Sequence, residues 1–229
     1  MSFTNSPKQD QKRGIRTFHA RQGRISPLTA KTITSHQGSF ILDPQAPFDP
    51  IATFGATPVI FDIGCGFGEA TTAMAAAQPE IAIVAFDVHV RGIARLLQEV
   101  DHRNLTNVRA LNTDAVSYLN HMVPTDCLDG VRIYFPDPWP KARHNKRRLI
   151  QPDFVRLLVS AMKSGATLHC ATDWQPYAEH MLKVLTNCSE LTNTVQDFAP
   201  RPQWRPVTRY ESAGIAKGHE IFDLIFRRT

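Results

Sequence analysis

Val59-Ile-Phe-Asp62-Ile-Gly64-Cys-Gly66-Phe-Gly68-Glu69 decides how this 229-residue chain is read. Val59–Cys65 is a short apolar run of the kind that forms a buried strand, and it ends in glycines. Three glycines at alternate positions let the backbone turn tightly and approach a ligand that a Cβ would push away. Ala-rich residues Glu69–Gln78 continue as a helix. Dinucleotide-binding folds share this strand–glycine–helix unit, so its meaning comes from its surroundings.

Outward from that unit the same alternation repeats. Ile81–Phe86, Val108–Leu111, Val131–Phe135 and Ala166–Ala171 read as strands. Between them Val90–His102 places Ile93, Leu96, Leu97 and Val100 at helical spacing, and helices are expected around Ala115–Met122, from Pro152 onward and over Tyr177–Leu185. Such alternation means βαβ units and a parallel sheet with helices on both faces. The tail breaks it: Glu190–Phe198 and Glu220–Arg228 both read as strands, giving an antiparallel pair at one sheet edge, joined by residues 199–218 as a long loop. The expected fold is α/β, Rossmann-like, with a mostly parallel seven-stranded sheet. Residues 58–229 form that domain, and residues 1–57 read as a basic arm and a loop-rich lead-in.

Composition narrows the class. An apolar content of 42% suffices for one substantial core. Cys65, Cys127, Cys170 and Cys188 lie far apart with no CxxC pair, which fits reduced thiols in a cytoplasmic protein. No apolar run reaches the length of a membrane span, and no metal-ligand spacing occurs. The net charge of +5 is unevenly spread. Residues 1–31 carry seven Lys/Arg against one Asp, residues 61–140 ten acids against five bases, and KARHNKRR at 141–148 five more cations. A solvated surface explains any one such run. Together they suit a small cationic or hydroxyl-rich ligand in the middle and a polyanion at the flanks.

In open parallel sheets, ligands bind beyond the carboxyl ends of the strands. Asp87 ends the second strand, where a carboxylate can accept from both ribose hydroxyls. Asp114 ends the third, where an acceptor can meet an adenine amine. Both also fit helix N-caps. Asp62 adds negative charge near a cationic donor. Dinucleotide folds explain the glycine turn and the ribose-type acid as well; the adenine-type acid, together with the motif at the end of the fourth strand, favours S-adenosylmethionine. The fourth strand ends in Phe135-Pro-Asp137-Pro-Trp139-Pro, whose prolines hold Asp137 in a rigid turn and whose Trp139 offers a stacking face or, alternatively, a buried prop. Guanine suits a carboxylate there, since its N1–H and N2–H₂ donate side by side while N7 stays bare. N7 has no proton to lose, so its methylation needs placement rather than a general base. Asp137 is therefore the expected catalytic orienter.

The chain resembles the tRNA (guanine-N7-)-methyltransferase family, in its bacterial single-chain form, from Arg13 to the C-terminus. RGIRTFHARQGR, FDIGCGFG, AFDVH, NTDAV, FPDPWPKARHNKRR, ATDWQPYAEHML, and RPVTRYE followed by GHEIFDLIFRR carry the resemblance. It implies a class I methyltransferase fold and methylation of guanine 46 in the tRNA variable loop. It also implies cofactor contacts from Asp62, Gly64, Gly66, Gly68, Asp87, Asp114 and Asp137. Substrate contacts would come from Lys141, Asp173, Thr208, Arg209, Tyr210 and Glu211, and RNA-backbone contacts from Arg143, His144, Asn145, Lys146, Arg147 and Arg148. No obligate protein partner and no membrane are implied. Asp62 departs from the family, which commonly has Glu there, so its carboxylate sits one bond further back. Other readings of the same residues are an exocyclic-nitrogen methyltransferase, a non-catalytic tRNA-binding subunit and an NAD-dependent dehydrogenase. The last leaves Asp137-Pro-Trp139 and the basic run without a purpose.

Overall fold

The structure, a computed structural model, describes Thr17 and residues 25–229. The arm cations Lys12, Arg13, Arg16, Arg21 and Arg24 lie outside the described residues. Seven strands, β1 (Val59–Ile63), β2 (Ala82–Phe86), β3 (Val108–Leu111), β4 (Leu128–Tyr134), β5 (Met162–Thr172), β6 (Leu191–Asn193) and β7 (Phe222–Arg228), form one sheet in the order β3-β2-β1-β4-β5-β7-β6. The first five pair in parallel, and β7 runs antiparallel to both β5 and β6. The expected topology holds. Strand order reverses at β1, so a crevice opens between the carboxyl ends of β1 and β4.

Helices cover both faces. On one side α3 (Glu69–Ala77) and α4 (Val90–His102) pack against β2 and β3, with Ile93, Leu96, Leu97 and Val100 fully buried. Burying each of these side chains stabilises by roughly 1.5–3 kcal/mol. Across the sheet lie α5 (Ala115–Met122), α6 (Pro152–Ala161) and α7 (Gln175–Thr186). An aromatic file, Phe48–Phe61–Phe86–Tyr118, with centroids 5.2, 4.8 and 5.6 Å apart, runs beneath the crevice. No described helix is long and apolar enough to cross a membrane.

Three expectations are corrected. The lead-in is not loop throughout: it holds α1 (Pro27–His36) and α2 (Pro50–Phe54). Helix α1 buries Thr32 and His36 rather than an aliphatic stripe, and His36 Nε2 meets Asp101 on α4 at 2.9 Å. Phe40 and Leu42 then exchange backbone hydrogen bonds with Ala110 and extend the β3 edge. Second, the stretch expected as a strand over 190–198 pairs only at Leu191–Asn193. Third, the loop at 199–218 contains a short helix, α8 (Arg209–Ile215), capped by the Thr208 hydroxyl, which accepts from Glu211 N–H at 3.2 Å.

Candidate active site

A cavity of about 230 Å³ occupies the crevice, lined among others by Thr17, Gly64, Asp87, Asp114 and the run Tyr134–Asp137. Gly64, Gly66 and Gly68 take φ values of +83°, +57° and +76°, which only glycine adopts without strain. Gly64 and Cys65 N–H both donate to Phe86 O, so the turn is fastened to the end of β2. A Cβ on Gly64 meets no protein atom within 4 Å, whereas one on Gly68 would lie 2.4 Å from Leu96 Cδ1. Gly64 thus leaves room in the cavity, and Gly68 lets α3 press on α4.

The three cofactor-type acids are placed differently. Asp87 faces the cavity and braces the turn: Oδ2 accepts from Gly66 N–H at 2.9 Å and Oδ1 from His89 N–H at 2.7 Å. A carboxylate has about four lone-pair sites, so acceptor capacity for hydroxyl groups remains. Asp114 also lines the cavity, caps α5 by accepting from Val116 N–H at 3.1 Å, and has its pKa raised by burial. Asp62 is not at the cavity. It is 3% exposed, accepts from Thr71 Oγ1 at 2.5 Å, and burial raises its pKa.

Asp137 is exposed at the cavity mouth, in a turn whose flanks are strained. Phe135 and Trp139 hold φ of 51° and 44°, a region that costs non-glycine residues about 1–3 kcal/mol each. Trp139 does not offer a face to a base. It is 5% exposed, its Nε1 donates to Thr17 O at 3.1 Å, and the Arg147 guanidinium stacks 3.7 Å from its ring centre. The free aromatic surface beside Asp137 comes instead from Phe135 and the exposed Tyr210, whose ring centres are 5.2 Å apart.

The basic run forms a 3-10 helix, Ala142–Arg147, after the turn. Lys141, Arg143 and Lys146 are exposed, while His144 and Asn145 are half-buried. The pKa of His144 is lowered by desolvation and by Arg143, Arg147 and Lys141, which favours the neutral ring. Arg148 is corrected: it is buried, donating to Pro138 O and Pro176 O and lying over the Tyr177 ring, so it braces the turn rather than facing RNA.

The C-terminal contributions split as well. Asp173 receives a hydrogen bond at 3.0 Å from His219 Nδ1 and a long one at 3.5 Å from Tyr210 OH. Arg209 projects into solvent and its N–H donates to Glu69 on α3. Glu211 is withdrawn from the mouth into a buried cluster that the sequence reading missed. There Arg205 holds Glu211 and Asp223, Asp223 Oδ1 lies 2.6 Å from His169 Nε2, and His169 Nδ1 lies 2.9 Å from Tyr134 OH. The chain of contacts joins α8 to the end of β4. Its one sequence signal is a histidine inside the apolar run of β5.

A strand-end crevice with a glycine turn, two acids and a rigid Pro-Asp-Pro turn defines a methyltransferase, and residues 56–224 match the family model described as "Putative methyltransferase". The tRNA (guanine-N(7)-)-methyltransferase of Streptomyces avermitilis is 47% identical, covering 99% of this chain and 81% of that one. The enzyme of the same name from Paracidovorax citrulli is 45% identical over 95% of this chain and 88% of its own. The chain belongs to the tRNA (guanine-N7-)-methyltransferase family. Among solved structures, a 30S ribosomal A1408 methyltransferase from an uncultured bacterium has the same fold, with a TM-score of 0.56 and 14% identity over 82% of this chain and 95% of that one.

Proposed function

We propose that this protein transfers a methyl group from S-adenosylmethionine to N7 of guanine 46 in the variable loop of tRNA, as a cytoplasmic enzyme. The observation that carries the reading is the convergence of Gly64, Asp87, Asp114 and Asp137 on one cavity at the strand-order reversal. The cofactor fits what surrounds it. Space at Gly64 admits the amino acid end, Asp87 retains acceptor capacity for ribose hydroxyls, and Asp114 accepts from the adenine amine. Bound there, S-adenosylmethionine supplies an electrophilic methyl group on a sulfonium. Asp62 acts at one remove, holding the glycine turn through Thr71.

The protein's own task is placement. Asp137 accepts from the N1–H and N2–H₂ edge of guanine, leaving N7 free to attack. Phe135 and Tyr210 flank the base, and Asp173 steadies Tyr210 and His219. A base held in tRNA tertiary pairing cannot enter such a mouth, so the target guanine is extruded. Lys141, Arg143 and Lys146 take the RNA phosphates, as does the arm within residues 1–57, while residues 58–229 hold the chemistry.

Incubating tRNA with labelled cofactor, then cleaving with aniline at N7-methylguanine, tests this directly. Wild type gives scission at position 46. Asp137→Ala is expected to lower kcat/KM by at least about a hundredfold, the scale of one removed transition-state contact. Methylation at an exocyclic nitrogen, or unchanged scission in Asp137→Ala, would overturn the reading.

A further inference from the structure

A second cavity, of about 530 Å³, lies between the glycine turn, the outer face of α4 and the start of α8. Phe67, Arg95, Arg103, Arg209 and Tyr210 line it, with Glu69 and Glu99. Phe67 sits in the turn between Gly66 and Gly68 with 70% of its surface exposed. One exposed aromatic is ordinary; its company is not. Three guanidinium groups from two helices line the same cavity, together with two carboxylates. Arg95 and Arg103 share Glu99, at 2.8 and 3.6 Å, and Arg209 reaches Glu69 only at 3.8 Å, leaving the groove net positive.

An aromatic face among guanidinium groups is the chemistry of single-stranded nucleic acid binding, where a base stacks and a phosphate takes paired N–H donors. The groove also connects with the methylation site. Tyr210 borders it and packs on Phe135, which lines the first cavity beside Asp137. A strand whose guanine enters at Asp137 therefore places an adjoining nucleotide here. We propose that this groove binds the nucleotide next to the methylated guanine, its base on Phe67 and its phosphate among Arg95, Arg103 and Arg209. The proposal rests on the tRNA reading above and adds a second RNA subsite to it.

The test compares wild type with Phe67→Ala and with the double variant Arg95→Glu/Arg103→Glu, using full-length protein and a tRNA transcript. Initial rates over a tRNA series give KM, fluorescence anisotropy at several salt concentrations gives the counterion slope, and calorimetry with S-adenosylhomocysteine reports the cofactor site. Phe67→Ala should raise KM for tRNA about tenfold, the scale of one lost base–aromatic stack. The double variant should flatten the log–log salt slope by roughly 0.7–1.8, one or two phosphates' worth. Cofactor-product affinity should stay within about twofold in both. Variants that match wild type in KM and salt slope overturn the subsite while leaving the methylation reading intact. A Phe67→Ala effect that appears as lost S-adenosylhomocysteine affinity also overturns it, assigning the ring to the cofactor turn. A wild type that methylates no tRNA overturns both readings.

Discussion

Arg205 grips Glu211 through two parallel hydrogen bonds, Nη1 to Oε2 at 2.7 Å and Nη2 to Oε1 at 3.0 Å, with both side chains 1% exposed. The same guanidinium donates to Asp223 Oδ2 at 2.9 Å, so the connecting segment, α8 and β7 meet in one buried cluster. Removing the cation leaves two buried carboxylates facing each other, and breaking such a pair costs about 3–5 kcal/mol. At ~2–4 °C per kcal/mol for a chain of this size, Arg205→Met should lose on the order of 10 °C in thermal unfolding. Arg205→Lys keeps the charge without the fork and should fall between. A loss under about 2 °C for the Met variant would show that the cluster does not hold α8.

Asp62 gives a stability change with a definite pH sign. Burial raises its pKa in the folded protein, against the lowering effect of the Thr71 hydroxyl and of Arg132. The native state therefore keeps this proton to higher pH than the unfolded chain does. Its contribution is fully present below the ordinary Asp value, about 3.9, and is lost as pH rises through the folded value. Asp62→Asn still offers Thr71 an acceptor and has no such loss. Urea midpoints from pH 4 to 8 should show the variant gaining on wild type as pH rises, then levelling off. A difference independent of pH would show that the carboxyl is not held protonated by burial.

The glycine turn separates folding from ligand binding. At Gly68 a methyl group would sit 2.4 Å from Leu96 Cδ1 and 3.0 Å from Leu96 Cα, on a φ of +76°. Left-handed backbone costs an alanine about 1–2 kcal/mol, and overpacking adds ~1–3. Gly68→Ala should thus destabilise by roughly 2–5 kcal/mol in denaturant unfolding. Gly64→Ala incurs only the backbone part, because its Cβ meets open space. Its main effect should be weaker S-adenosylhomocysteine binding by calorimetry. Equal stability losses in the two variants would contradict this division.

The sheet was legible because its signals are local. β2 is buried from end to end and reads as one apolar run, and α4 carries a strong apolar stripe. Helix α1 was missed because its buried face is Thr32 and His36, polar side chains that give no apolar periodicity, although Ser26-Pro27 is a helix-start pair. Helix α8 was missed despite Thr208-x-x-Glu211, a capping-box pattern, because Glu211 is so readily assigned to substrate. At the site, strand-end acids are visible in sequence, but which way each one faces depends on side chains brought back across the following turn. Asp62 is turned to Thr71 by α3, and the Trp139 face is covered by Arg147, eight residues later. Such turn-spanning contacts, eight and nine residues apart, lie within no single helix or strand and leave no periodic trace.

Asp114 holds a structural place and a proposed one, which substitution can separate. Its carboxylate caps α5 through Val116 N–H and also lines the cavity, where the proposed reading gives it the adenine amine. Alanine removes both functions and should cost about 1 kcal/mol of stability for the lost cap. Serine is as good a cap as aspartate, so Asp114→Ser should unfold within about 0.5 kcal/mol of wild type. Its shorter, uncharged side chain withdraws the acceptor from the cavity. Calorimetry with S-adenosylhomocysteine should then show about tenfold weaker binding for both variants, the weight of one charge-assisted hydrogen bond of ~1.5 kcal/mol. If Asp114→Ser binds the cofactor product as wild type does, the aspartate is a helix cap alone, and adenine recognition belongs elsewhere on the cavity wall.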